Sequence, residues 1–260
     1  MTILDDILAR THKTIQRDRD AISIETLRRQ CEGLPPCRDF HAALAAGTHV
    51  NLIAEIKRAS PSAGLIREDF DPVVIAKAYQ AGGASCLSVL TDEPFFQGSL
   101  EYLRDVAAEV TLPVLRKDFI IDEYQILQAR AAGASCVLLI AECLPADRLK
   151  ALHDFAADIG LQTLIELYDP ESLEGVLATG TPLVGVNNRN LKTFQTDLDH
   201  TLRMRESIPA DRLLIGESGI RTRQDVLRLE QGGVKGILVG ESLMREPDVR
   251  AATVRLLGRG

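Results

Sequence analysis

Two stretches of the sequence, QAGGASCLSVL at residues 80–90 and RAAGASCVLLI at residues 130–140, follow one plan. Each starts at the end of a helical pattern, breaks at glycine and continues as an apolar run rich in Val, Leu and Ile. Glycine after the last helical turn is a common C-cap, and the apolar run is typical of a buried strand. A weaker copy, EQGGVKGILVG, occupies residues 230–240. The repeat predicts joints between helix and strand in a series of βα units.

Reading outward from these joints gives eight candidate strands with helical patterns between them. The strands are predicted near residues 50–57, 86–91, 112–117, 136–141, 162–167, 183–187, 213–217 and 236–240, and helices over 71–83, 122–134, 145–160 and 222–234. Alternating helices and nearly continuous apolar strands predict a covered parallel sheet. Eight such units match an α/β fold of the (β/α)8 TIM-barrel type. A doubly wound open sheet is the alternative, although no G-x-G-x-x-G follows the first strand.

Composition is that of an ordinary globular protein. With 260 residues, 45% of them hydrophobic, the chain can bury a large core, and we predict one domain over 1–260 whose residues 1–46 form a helical N-terminal extension. A net charge of −7 argues against nucleic acid as a partner. Neither a signal peptide nor a membrane span is recognisable. The odd number of cysteines, five, includes no C-x-x-C pair and favours reduced thiols in a cytoplasm.

Charged and amide side chains lie at the carboxyl ends of five predicted strands. In a TIM barrel these carboxyl ends meet at one mouth, where the active site lies. Burying many charges for stability alone is unfavourable, so the cluster predicts a functional site, with structural ion pairs as the alternative. Its members are Glu55, Lys57, Lys117, Glu166, Asn187, Arg189 and Glu217.

The glycine-containing ends of the last two strands resemble the phosphate site that recurs in this fold. The motifs ESGI and VGES offer the Ser218 hydroxyl and backbone N–H groups at Gly219, Gly240 and Glu241. An ordinary glycine turn is the alternative. The Glu241 carboxylate would oppose a bound dianion unless it points to solvent.

The residue types favour proton-transfer chemistry. Carboxylates and lysines occur without a Ser/Cys–His pair, an H-E-x-x-H motif or a Cys/His cluster, so neither a covalent hydrolase nor a protein-held metal is indicated. Crowded lysines are expected to have a lowered pKa and to act as acids near neutral pH, while carboxylates accept protons.

Seven motifs in order carry a resemblance to a known family: IAEIKRASPSAG, VLTDEPFFQGS, LRKDFIID, LIELYD, GVNNRNL, ESGI and VGESLM. Together with the N-terminal ILDDIL helix, they closely resemble the indole-3-glycerol phosphate synthase family over essentially the whole chain. The resemblance implies closure of the indole ring of 1-(2-carboxyphenylamino)-1-deoxyribulose 5-phosphate, with release of carbon dioxide and water and without cofactor or metal. It also implies a phosphorylated small-molecule substrate, and contact with other tryptophan-pathway enzymes is a further expectation.

The resemblance assigns catalytic roles to the polar cluster. Lys117 is expected to protonate the substrate carbonyl during ring closure. Glu166 and Lys57 would serve the proton transfers of dehydration, while Glu55 and Glu217 hold the lysines or share that role.

It also assigns binding roles. Arg189, with Lys57, would bind the substrate carboxylate, and Asn187 would orient the reacting chain. Ser218, Gly219, Gly240 and Glu241 match the phosphate binders, and Ser60 belongs to a turn that resembles the family's mobile loop after the first strand. Phe96 and Phe119 match apolar walls around the anthranilate ring, although packing alone could explain either.

Two other functions remain open at this level. A Schiff-base aldolase of the same fold would use Lys57 or Lys117 as its amine nucleophile. A non-catalytic barrel that binds sugar phosphates would need only the last two strand ends.

Overall fold

The computed structural model describes residues 3–190 and 195–259, and within them eight parallel strands close into a barrel. Each strand pairs with its neighbour in sequence, and the first pairs with the eighth. The strands are β1 Asn51–Ile56, β2 Cys86–Leu90, β3 Val114–Lys117, β4 Cys136–Ile140, β5 Gln162–Leu167, β6 Leu183–Asn187, β7 Leu213–Glu217 and β8 Gly236–Val239. The predicted TIM barrel is confirmed, and the open-sheet alternative is wrong.

Helices precede the barrel and surround it. They are α1 Ile3–Ala21, α2 Ile24–Cys31, α3 Phe40–Ala45, α4 Pro72–Ala81, α5 Glu93–Phe96, α6 Leu100–Glu109, α7 Glu123–Ala131, α8 Ala146–Asp158, α9 Leu173–Ala178, α10 Asp199–Arg205, α11 Arg223–Gln231, α12 Glu241–Met244 and α13 Val249–Leu257. Short 3-10 turns lie at Ala141–Cys143 and Pro170–Ser172, and a small hairpin pairs Ala59–Ser60 with Gly64–Leu65. Among the described residues, no helix has the length and apolar character needed to cross a membrane.

The three repeated joints have the same backbone geometry. Gly83, Gly133 and Gly233 have φ angles of +93°, +88° and +82°, in the left-handed region that favours glycine. The next residue in each copy donates its N–H to a carbonyl five residues back, as Ala84 does to Tyr79 at 3.1 Å. This bond closes the end of the helix and turns the chain into the following strand.

The barrel interior is apolar at its base and polar at the carboxyl ends of its strands. Inward side chains such as Ile53, Leu115, Leu164 and Ile215 are completely buried and pack together. Their alternation along each strand places the next inward residue at the mouth. The packed apolar base therefore holds in place the polar residues at the carboxyl ends of the strands.

The N-terminal helix α1 lies against the barrel. Its residues Ile7 and Ile15 are buried, and the Tyr124 hydroxyl of α7 donates to the carbonyl oxygens of Asp18 and Ile22 at 2.7 and 2.9 Å. These contacts hold the helix where its first turn reaches the mouth.

Asp92 is a buried cap at the start of the short helix α5. Its Oδ2 accepts hydrogen bonds from the N–H groups of Phe95 and Phe96 at 2.8 and 3.1 Å, and its relative exposure is 7%. Burial and the nearby charge of Asp118 raise the pKa of Asp92 to about 6, against the two hydrogen bonds. Its ordinary pKa in an unfolded chain is about 3.9.

The raised pKa predicts a stability change with pH. Between about pH 4 and 6 the folded protein binds more protons at Asp92 than the unfolded chain does, so this group's contribution to stability is lost as pH rises through that window. Asp92→Asn keeps an acceptor for the cap but cannot ionise. We therefore expect the Tm of the variant, relative to the parent, to be higher at pH 7 than at pH 4. Thermal unfolding at both pH values tests this, with Asp71→Asn at the exposed cap of α4 as the control, and an equal Tm difference at both pH values would contradict it.

Candidate active site

A cavity of about 570 Å³ opens at the carboxyl ends of the barrel strands. All of the predicted site residues line it. They are Glu55, Lys57, Ser60, Phe96, Lys117, Phe119, Glu166, Asn187, Arg189, Glu217, Ser218, Gly219, Gly240 and Glu241. Residues far apart in the chain thus meet here, because each lies at the carboxyl end of a barrel strand or in the loop that follows it.

Lys117, the last residue of β3, lies between two glutamates from across the barrel. Its Nζ donates to Glu166 Oε2 on β5 at 2.6 Å and to Glu217 Oε2 on β7 at 3.4 Å. Asn187 on β6 donates from Nδ2 to the other Glu166 oxygen at 3.0 Å. Glu166 is therefore fully engaged, whereas Glu217 Oε1 is buried and has no hydrogen-bond partner among the described residues.

The predicted lowering of the lysine pKa is wrong for Lys117. Burial by itself would lower its pKa, but the negative charge of nearby carboxylates, that of Glu166 above all, outweighs burial and raises it. Sequence reasoning counted crowded cations, whereas the fold surrounds this one with carboxylates. Lys117 is accordingly a stable cation, which can donate its proton once a stronger base, such as a developing alkoxide, forms beside it.

The pKa values of the two glutamates next to Lys117 are shifted in opposite directions. Burial and the charge of Glu166 raise the pKa of Glu217 well above its ordinary value. Burial also opposes ionisation of Glu166, but the charge of Lys117 and the hydrogen bonds it receives lower its pKa overall. Because two close carboxyl groups resist double ionisation, the pair favours ionisation at Glu166 and retention of a proton at Glu217.

A second lysine–glutamate pair lies on β1. Lys57, one residue beyond the strand, places its Nζ 2.5 Å from Glu55 Oε1. Glu55 is only 4% exposed, and its carboxylate lies against the Cα atom of Gly240. The site thus holds two lysine–glutamate groups, one on β1 and one centred on Lys117 at the end of β3.

The turn after β7 has an unusual backbone. Ser218 and Gly219 have φ angles of +67° and +78°, so two consecutive residues are left-handed. The side chain of Asn188 donates to the Ser218 carbonyl at 3.2 Å and helps to hold this geometry. Together with Gly240 and Glu241 after β8, these residues form what we call, after its predicted role, the phosphate turn (Ser218, Gly219, Gly240 and Glu241).

Two arginines lie close to the partly exposed Glu241 carboxylate. Its Oε1 lies 3.0 Å from Arg245 Nη2, and its Oε2 lies 3.8 Å from Arg189 Nη2. Arg189 also donates from Nη1 to Ser62 Oγ at 2.8 Å. These contacts remove the expected conflict between the carboxylate and an anion at the phosphate turn.

Aromatic and aliphatic side chains form the apolar part of the cavity. The rings of Phe96 and Phe119 lie 6.2 Å apart at 39°. On the other side, Ile3, Leu4 and Ile7 of α1 also line the cavity. Sequence reasoning missed these three residues, since an amphipathic pattern shows that a helix packs but not which part of the molecule it packs against.

Metal ions in proteins are bound by clusters of side chains such as His, Cys, Asp and Glu. Within the described ranges 3–190 and 195–259, no cluster of three or more His, Cys, Asp or Glu side chains is suited to a metal ion.

Comparison with solved structures shows the fold alone. A thiamine phosphate pyrophosphorylase from Pyrococcus furiosus superimposes with a TM-score of 0.58 at 18% sequence identity, covering 80% of this chain and 94% of that one. Identity this low supports the barrel and no shared activity.

Sequence comparison identifies the family. The family model described as indole-3-glycerol phosphate synthase matches residues 4–256. An indole-3-glycerol phosphate synthase from Rhodopirellula baltica is 63% identical over 99% of both chains. Proteins of the same name from Polaromonas sp. (strain JS666) and Azospirillum brasilense are 47% and 46% identical over 98% of this chain, and over 98% and 100% of their own. The chain therefore belongs to the indole-3-glycerol phosphate synthase family.

Proposed function

We propose that the protein converts 1-(2-carboxyphenylamino)-1-deoxyribulose 5-phosphate to indole-3-glycerol phosphate, as a carboxy-lyase of tryptophan biosynthesis. The observation that carries this proposal is the position of Lys117, held at 2.6 Å by Glu166 in the same cavity as the phosphate turn. Family membership supplies the substrate, and the cavity contains groups for each of its charged ends.

Ring closure joins the anthranilate carbon that bears the carboxylate to the ketone carbon of the sugar chain. As that bond forms, the ketone oxygen gains negative charge and takes a proton from Lys117 Nζ. A positioned cation in a buried site stabilises this charge far more than water does. The carboxylate then leaves as carbon dioxide, and its bonding electrons return to the ring.

Dehydration needs a second acid and a base. The hydroxyl formed from the ketone leaves as water after protonation, while a proton is removed from the ring system. We assign these transfers to Lys57 and Glu166, which lie on different walls of the cavity. Glu55 holds Lys57 at 2.5 Å, and Glu217 contacts Lys117 at 3.4 Å.

The remaining residues bind and orient the substrate. The phosphate turn would receive the phosphate through the Ser218 hydroxyl and backbone N–H groups. Arg189 and Lys57 would bind the carboxylate, and Asn187 would orient the reacting chain. Phe96, Phe119 and Ser60 would contact the ring end, where the loop after β1 carries Ser60 over the cavity.

Incubation with the carboxyphenylamino-deoxyribulose phosphate, followed by indole fluorescence, tests the proposed function directly. Sustained product formation supports it, whereas no product from folded protein at high concentration would refute it and leave the non-catalytic sugar-phosphate barrel. The Schiff-base aldolase is disfavoured because its nucleophile must be a neutral amine, and the carboxylates around Lys117 raise its pKa. A borohydride-trapped adduct on Lys57 or Lys117 would reverse that judgement.

Ser218→Ala is expected to raise KM by roughly 10-fold or more with a smaller effect on kcat, because a hydrogen bond to a charged group contributes about 1.5–3 kcal/mol. Alanine adopts the left-handed backbone about as well as serine does, so the fold should not change. Steady-state kinetics check this, with Ser242→Ala as the matched control, since the Ser242 hydroxyl already donates to the Ile220 carbonyl at 3.0 Å. Equal KM values for the parent and Ser218→Ala would remove the hydroxyl from phosphate binding.

Three expectations remain proposals. Cytoplasmic location follows from a biosynthetic role and reduced cysteines. Contact with other tryptophan-pathway enzymes would shorten the distance over which the product must diffuse. A single domain over residues 1–260, with 1–46 as its extension, fits the three helices that precede β1; Met1, Thr2 and Gly260 lie outside the described residues.

A further inference from the structure

Gly185 occupies an inward position in the middle of β6, directly under the catalytic cluster. In the sheet it pairs with Glu166 on β5 and with Ile215 on β7. A Cβ atom added at Gly185 would overlap Glu217 Oε1 and would lie 3.3 Å from Leu164 Cδ1. The Glu217 side chain therefore bends down from the mouth into the space that a side chain at residue 185 would fill.

Glycine inside a strand usually weakens it, since it adds backbone entropy and offers no side chain to pack. Here it lies in the middle of a buried five-residue strand, where β-branched residues are favoured. Glycine inside a strand is suited to a site where another group approaches the backbone closely. The group that approaches is the carboxyl group of Glu217.

Two other glycines provide a comparison for this contact. At Gly216, next to Glu217 but facing outward, an added Cβ would meet Leu229 and Thr201 only at 3.4 and 3.5 Å, which are ordinary contacts. At Gly240, an added Cβ would overlap the Glu55 carboxylate. Close approach of a carboxyl group thus occurs at Gly185 and at Gly240 but not at Gly216.

We propose that Gly185 is a positioning residue for the ring-closing chemistry: its missing side chain leaves the space in which the Glu217 carboxyl group lies beside Lys117. The inference rests on the proposed function and deepens it. Glu217 Oε1 then lies against the Gly185 Cα and near Leu164, with no donor among the described residues. Such a site favours the neutral acid.

As a consequence of this position, Glu217 and Glu166 would differ in charge. The charged and polar groups around Glu217 are Lys117 on β3, Glu166 on β5 and Asn187 on β6, with Glu55 on β1 also acting on Lys117. Because Glu217 is kept neutral, Lys117 retains one ionised partner at hydrogen-bond distance, Glu166. A side chain at residue 185 would push Glu217 toward Lys117 and Glu166 and would disturb both distances.

Gly185→Ala is expected to lower kcat by roughly 10²-fold, since a displacement of about 1 Å at a catalytic group can cost that much. KM should change little, because the phosphate turn and Arg189 are not touched. Gly216→Ala is the matched control on the adjacent strand and should keep parental kcat. Parental kcat in a folded Gly185→Ala enzyme would overturn the proposal.

A compensating variant separates positioning from general damage to the strand. Glu217→Asp shortens the side chain by one methylene and should relieve the overlap with Ala at residue 185. We expect kcat of the Gly185→Ala, Glu217→Asp double variant to exceed the value predicted by multiplying the two single effects. Losses that simply multiply would overturn the proposal.

A measurement without substrate distinguishes this inference from the proposed function. The infrared carbonyl stretch of a protonated carboxyl group should be present in the parent, absent in Glu217→Gln and shifted or lost in Gly185→Ala. If the parent forms no indole product but shows this band, the proposed function fails and the position of Glu217 stands. A parental band that Glu217→Gln leaves unchanged would overturn the neutral Glu217 even in an active enzyme.

Discussion

Replacing Lys117 with methionine should lower kcat by roughly 10²-fold or more while KM stays near the parental value. Methionine has a similar length and no charge, so the variant loses the proton donor that acts as the ketone oxygen becomes negative. Binding should persist, because the phosphate turn and Arg189 hold the two charged ends of the substrate. The effect is large because no other cation lies between Glu166 and Glu217 among the described residues.

Steady-state kinetics and circular dichroism check this result. Lys77→Met is the matched control, since Lys77 pairs with Glu109 on the surface at 2.7 Å, far from the cavity. The Lys117 variant leaves Glu166 buried without its cation, so a lower Tm is also expected. Near-parental kcat in folded Lys117→Met would assign the ring-closure proton to Lys57 instead.

Glu166→Gln is expected to lower kcat by roughly 10²- to 10³-fold, in the range of general acid–base catalysis. Glutamine keeps an oxygen for the Asn187 side chain, which now donates at 3.0 Å, but it cannot accept a proton. It also removes the negative charge 2.6 Å from Lys117 Nζ. The variant therefore loses the charged partner of Lys117 and, with the same carboxylate, the proposed base of dehydration.

The matched control for this variant is Glu142→Gln. Glu142 is another glutamate at the end of a barrel strand, but its Oε1 accepts from the N–H groups of Tyr168 and Asp169 at 2.8 and 3.0 Å. Glutamine can accept the same bonds, so kcat should change little. Equal losses of kcat in the Glu142 and Glu166 variants would show that the effect is structural, and no loss in Glu166→Gln would remove it from catalysis.

Local signals explain why the barrel could be predicted. The strands fall within a few residues of their predicted limits, since each is a short apolar run between helical patterns and turn residues. The glycines at residues 83, 133 and 233 mark the joints because left-handed backbone is a property of single residues. Strand periodicity also predicted which charged residues point inward, and the barrel geometry then placed them in one cavity.

The electrostatics of the site could not be predicted in the same way. The direction of the Lys117 pKa shift depends on Glu166, Glu217 and Glu55, which come from three other strands. The raised pKa of Glu217 depends on burial and on the charge of Glu166 on another strand, which no property of residue 217 reveals.

The sequence by itself determined the elements, their order and the residues that face the mouth, because propensity, capping and periodicity act over a few neighbouring residues. Only the tertiary structure decided that α1 lines the cavity through Ile3, Leu4 and Ile7, that Arg245 pairs with Glu241, and that Gly185 makes room for Glu217. Coulomb interactions and steric overlap depend on distances of a few ångströms in space. Those distances are set when the eight strands close into a barrel, and so the protonation of the site is a property of the fold.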